Sequence, residues 1–86
     1  MPEICRFYGI FIKMYFDDHA PPHFHARYGG SRAVVSIDPP ILLRGDLPVR
    51  ARGMVIEWAR IRRNDLLQAW ELTQNRVSPG KIAPLE

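Results

Sequence analysis

The chain has 86 residues, 47% of them hydrophobic and 24% charged, a size and balance that sustain one core and leave no material for a second. Its single cysteine, Cys5, excludes an internal disulfide and any zinc site built from several thiolates. No stretch is long and apolar enough to span a bilayer and no secretory signal opens the chain, so it reads as cytoplasmic, while its formal charge of +3 gathers in the second half, where six arginines fall between Arg44 and Arg63.

From Ile4 to Phe16 the residues are β-branched and aromatic. Ile10, Ile12, Met14 and Phe16 fall on one side of an alternation, and Phe11, Lys13 and Tyr15 on the other. That is the period of a strand, and Gly9 divides it into two pieces. Asp17-Asp18-His19-Ala20-Pro21-Pro22 is then a loop, since neither proline has an N–H to give a sheet. A second strand pair follows over about 23–28 and 32–38. With Gly29-Gly30 as a two-residue turn, Tyr28 faces Ser31, His25 faces Val34 and His23 faces Ser36. Phe24, Ala26, Ala33, Val35 and Ile37 then share an apolar face, and His23, His25, Arg27, Arg32, Val34 and Ser36 share the other; a slip by one residue would mix the two sets. After Asp38-Pro39-Pro40, residues Ile41 to Leu43 add a short further strand.

Asp46-Leu47-Pro48 opens a helix, with Asp46 placed to cap free N–H groups and Pro48 tolerated in the first turn. Helical spacing covers about 47–75 and Ser78-Pro79-Gly80 ends it, leaving a tail over 76–86. Unbroken, that helix would be roughly 42 Å long, more than the diameter of about 30 Å expected for a chain of this size. It therefore bends near Asn64-Asp65 or overhangs. Ala51, Val55, Trp58, Ala59, Leu66, Ala69 and Trp70 form its core stripe. Arg62 falls in the middle of that stripe, where its guanidinium needs acceptors from Asp65 or the sheet, or must reach the rim. Ile56 and Leu67 lie on the opposite side beside Arg60 and Arg63, a second packing surface for a partner protein or another copy of the chain. The expected fold is α+β: one domain over 1–86, with a small antiparallel sheet of two N-terminal hairpin-like strand pairs packed on a long or bent C-terminal helix.

All three histidines lie within the segment His19 to His25. On a strand His23 and His25 project from one face, and the prolines restrict the loop that returns His19. Two chemistries suit this pattern. His19, His23 and His25, with Asp17 or Asp18, can bind zinc, copper or nickel. Alternatively, without a cofactor, His23 and His25 can serve as acid and base with an arginine on phosphate, the equipment for cleaving RNA at its 2′-hydroxyl. Arg27 and Arg32 on the hairpin, with Arg60 and Arg63 on the helix, would supply phosphate contacts. Cys5 lies in a strand with no histidine close in sequence and reads as a buried, inert thiol. Ser31, Ser36 and Ser78 lack a nucleophile elbow, and Gly29-Gly30 lacks the spacing and lysine of a phosphate loop.

Arg6-Phe7-Tyr8-Gly9-Ile10, Met14-Tyr15-Phe16 leading to His19, Pro21-Pro22-His23-Phe24-His25-Ala26, Gly45-Asp46-Leu47-Pro48, and Glu57-Trp58-Ala59 with Leu66-Leu67 and Trp70 together resemble the small bacterial family called domain of unknown function 4160. The resemblance implies a compact α+β domain, often encoded beside a small protein of the domain of unknown function 2442 type in an arrangement that looks like a toxin-antitoxin pair. It brings no established activity. Two positions depart from it: Arg62 stands where the family is expected to have a histidine, and Ala69 where an asparagine is common. An arginine cannot ligate a metal, so if the helix meets the hairpin face, Arg62 beside His23 and His25 favours an anion such as phosphate.

Overall fold

A computed structural model describes residues 3–86 and gives a five-stranded antiparallel sheet followed by two helices. The strands are β1 (Glu3–Phe7), β2 (Ile10–Lys13), β3 (His23–Tyr28), β4 (Ser31–Ser36) and β5 (Leu42–Gly45), and they lie side by side in chain order. The two expected strand pairs are thus one continuous sheet: the loop after β2 brings β3 back so that Ile12 faces Ala26 and Lys13 faces His25. Tyr8 and Gly9 make the first turn, both with positive φ, as a two-residue hairpin matched to strand twist requires. The β3–β4 register is the expected one, pairing Tyr28 with Ser31, His25 with Val34 and His23 with Ser36.

Strand alternation divides the sheet into two unlike faces. Cys5, Phe7, Ile10, Ile12, Phe24, Ala26, Ala33 and Val35 are buried on one face, which the helices cover. β5 begins one residue later than expected and runs to Gly45, which faces Ala33. Gly45 has φ +72°, and a Cβ there would overlap the Arg32 carbonyl oxygen, so glycine is required by both the backbone and the close strand.

The helices are α1 (Val49–Ile61) and α2 (Arg63–Gln74). Every residue of the predicted core stripe is buried. Asp46 does not cap α1. Its Oδ1 accepts from the Leu47 N–H at 2.8 Å and from Arg52 at 3.2 Å, and Pro48 occupies the N-cap position ahead of the first turn. The expected bend is real but lies at Arg62, two residues before Asn64. Arg62 adopts φ −100°, ψ 24°, ending α1 through its N–H to the Trp58 carbonyl and starting α2 by accepting from the Leu66 N–H. Asp65 then lies in the first turn of α2, where a negative charge suits the helix dipole.

Trp58 centres the core. It is fully buried, with its ring 5.4 Å from Phe7 and 5.6 Å from Phe24. Its indole N–H donates to the Ala83 carbonyl at 2.8 Å, so the tail completes the core instead of trailing from it. Ile82 is buried and its N–H donates to the Ile4 carbonyl. Among the described residues no helix is long and apolar enough to cross a membrane.

Candidate functional site: a histidine-carboxylate cluster beside a basic sheet face

The helix-free face of the sheet carries the side chains that point away from the core. On β2 these are Phe11 and Lys13, on β3 His25 and Arg27, on β4 Arg32 and Val34, and on β5 Arg44, each set facing the next across the ladder. With Tyr15 they line a concavity of about 580 Å³. The Arg6 and Arg27 guanidinium carbons lie 4.6 and 5.1 Å from the Phe11 ring centroid, within the range of cation–π attraction. Among the described residues, Lys13, Arg27, Arg32 and Arg44 have no carboxylate at ion-pair distance, whereas Arg6, Arg52, Arg63 and Arg76 each pair with one. On this sheet face, cations without a carboxylate partner among the described residues stand beside the half-buried rings of Phe11 and Tyr15.

At one end of this face, the loop before β3 brings Asp18 to the histidines. Asp18 Oδ2 lies 2.9 Å from Nε2 of His23 and 3.0 Å from Nε2 of His25. His23 and His25 share a face because they are two apart on a strand, and their rings stand 5.3 Å apart. His23 is buried beside Trp70 of α2, with ring centroids 5.2 Å apart, and its Nδ1 is 2.7 Å from the Pro21 carbonyl. His25 is more open and meets the edge of Tyr15 at 4.5 Å. Gln74 reaches the Asp18 carbonyl from the end of α2. Burial works to raise the Asp18 carboxyl, but the hydrogen bond from His25, the charge of His23 and the His19 backbone N–H outweigh it and hold the group below its ordinary value.

The other expected site residues separate. His19 is exposed, and what it gives Asp18 is its backbone N–H, 3.1 Å from Oδ1, with no ring contact to the cluster. Asp17 turns away to pair with Arg76. Arg62 does not join the histidines. It borders a cleft with Glu57, Trp58, Ile61 and Pro84, and its charge bears on Cys5 of β1. Arg60 and Arg63 belong to the helical layer, and Arg63 is bound to Asp38 at 2.8 Å. Ile56 and Leu67 are half-buried and packed against the core, so part of the second surface expected of them is taken up within the domain.

Sequence reasoning placed Arg27 and Arg32 beside the histidines but omitted Phe11, Lys13, Tyr15 and Arg44 from the site. Three of these were visible as the second side of the alternation around β2. Only the pairing of β2 with β3 makes that side continuous with the histidine face.

The family model described as Domain of unknown function (DUF4160) matches residues 9–71, more than half of the chain, and the chain belongs to that family. No curated protein and no solved structure matches it.

Proposed function

We propose that this family member binds single-stranded RNA on the uncovered face of its sheet, as the RNA-contacting component of a toxin-antitoxin-type pair. The observation that carries the reading is the concavity in which Lys13, Arg27, Arg32 and Arg44, free of carboxylate partners among the described residues, surround Phe11 and Tyr15. Cations neutralise phosphates and release counterions, while aromatic side chains on an open sheet offer stacking surfaces to unpaired bases. The same charges oppose a symmetric pairing of two copies through this face. The gene setting enters from the family resemblance. The reading stops at binding, because both imidazole Nε2 atoms are directed at Asp18 and Arg62 borders a different cleft.

Fluorescence anisotropy with a labelled single-stranded RNA oligonucleotide tests it. Saturable binding is expected, weakened by roughly tenfold or more in the double variant Arg27→Ala/Arg44→Ala and by about 1–3 kcal/mol in Phe11→Ala, with Arg60→Ala unchanged. Equal affinity for duplex DNA, or an Arg60→Ala effect as large as that of the sheet variant, would move binding off this face and overturn the assignment.

A further inference from the structure

We propose that Asp18, His23 and His25 bind one divalent transition-metal ion of the zinc type. The Pro21 carbonyl can only accept a hydrogen bond, so its 2.7 Å contact fixes a hydrogen on Nδ1 of His23. In the neutral ring Nε2 then carries a lone pair. That lone pair faces Asp18 Oδ2 at 2.9 Å, and a carboxylate oxygen likewise offers only lone pairs. Two acceptors at this separation require an added proton or a cation that both can ligate.

Three further features favour the ion. His25 turns its own Nε2 to the same oxygen at 3.0 Å, and the three ligating atoms all lie within 4.8 Å of one another. Ligands about 2.0–2.2 Å from a tetrahedral ion stand roughly 3.3–3.5 Å apart, so binding would draw the two imidazoles toward each other and move the Asp18 oxygen outward by about half an ångström from its 2.9 and 3.0 Å contacts. The Nδ1–H bond to a backbone carbonyl is the second contact that orients metal-bound histidines and fixes their tautomer. Two imidazole nitrogens and one carboxylate oxygen suit zinc, nickel or iron better than magnesium or calcium. Three protein ligands leave a position for water or substrate, and His25 borders the basic concavity, so that position lies beside the charged sheet face. Of the expected ligands, Asp18, His23 and His25 come together, and His19 is not among them.

The metal site is independent of RNA binding: failure of either leaves the other standing, because metal is titrated into protein alone. Chelator-stripped protein is titrated with zinc chloride and with cobalt(II) chloride at neutral pH. One ion per chain is expected, with protons released on binding and the visible absorption of low-symmetry cobalt. Asp18→Asn and His25→Ala, both at half-buried side chains, weaken binding by at least about tenfold, the loss that removal of a ligand's hydrogen-bond partner already causes; His19→Ala leaves it unchanged. Circular dichroism confirms that each variant is folded. In the unsubstituted protein, zinc shifts the ring resonances of His23 and His25 and leaves those of His19 in place, which keeps the test open if a variant does not fold. No stoichiometric uptake, unaltered affinity in folded Asp18→Asn and His25→Ala, or resonance shifts at His19 alone would overturn the site.

Discussion

Arg62 stands where two helices meet, and its Nε is buried without a hydrogen-bond partner. An unsatisfied buried donor costs about 1–3 kcal/mol, while the aliphatic stem of the side chain still packs. Arg62→Met keeps the stem and removes the donor, and we expect it to raise stability by about 1 kcal/mol in urea denaturation, with RNA affinity unchanged. A loss of RNA binding in that variant would return Arg62 to the functional surface. Cys5 shows the opposite fit of residue to place: it is buried, and desolvation pushes its thiol up, in keeping with the inert thiol read from its strand context. The positions of Cys5, Trp58 and Phe24 were legible because each follows from a local period. Arg62 was half legible: the helical period put it on the core side, where its Nε is indeed buried, but no local period shows that the helix breaks at this residue.

At the scale of elements, two glycines separate what the backbone needs from what it tolerates. Gly45 ends β5 at positive φ against the Arg32 carbonyl, whereas Gly53 lies within α1 with open space where a Cβ would go. Gly45→Ala should therefore lower stability by on the order of 3 kcal/mol, from a strained conformation plus a backbone clash. Gly53→Ala should raise it by about 0.5–1 kcal/mol, the difference in helix propensity. Thermal melts of the two variants check both signs. The β3–β4 hairpin could be registered from sequence since only one pairing separates apolar from polar residues, and a two-residue turn enforces it. The joining of β2 to β3 was hidden, because nine residues of loop, 14–22, place no fixed geometry between them. The candidate site was half legible for the same reason. Its histidines sit on one strand, but its carboxylate and two of its four cations arrive from the loop and from β2 and β5.

For the whole molecule, layer order decides where charge can act. Both helices cover one face of the sheet, so the arginines that dominate the sequence between Arg44 and Arg63 divide: Arg44 joins the open face, while Arg60 and Arg63 lie in the helical layer. Composition alone could not make that division. If RNA lies across the open face and meets its four unpaired cations, the logarithm of the binding constant should fall with the logarithm of salt concentration with a slope of roughly −3, at about 0.7 per phosphate contact. Anisotropy titrations over a range of potassium chloride measure it, and a slope near zero would rule out this electrostatic footing. The tail has a consequence of another kind. Because the Ile82 N–H closes on the Ile4 carbonyl and Lys81 reaches the Glu3 carbonyl, the first strand and the last segment meet in space. Together with the Trp58 indole bond to Ala83, those contacts make the last segment a clasp on the edge strand, so its loss would uncover the first strand and the core at once.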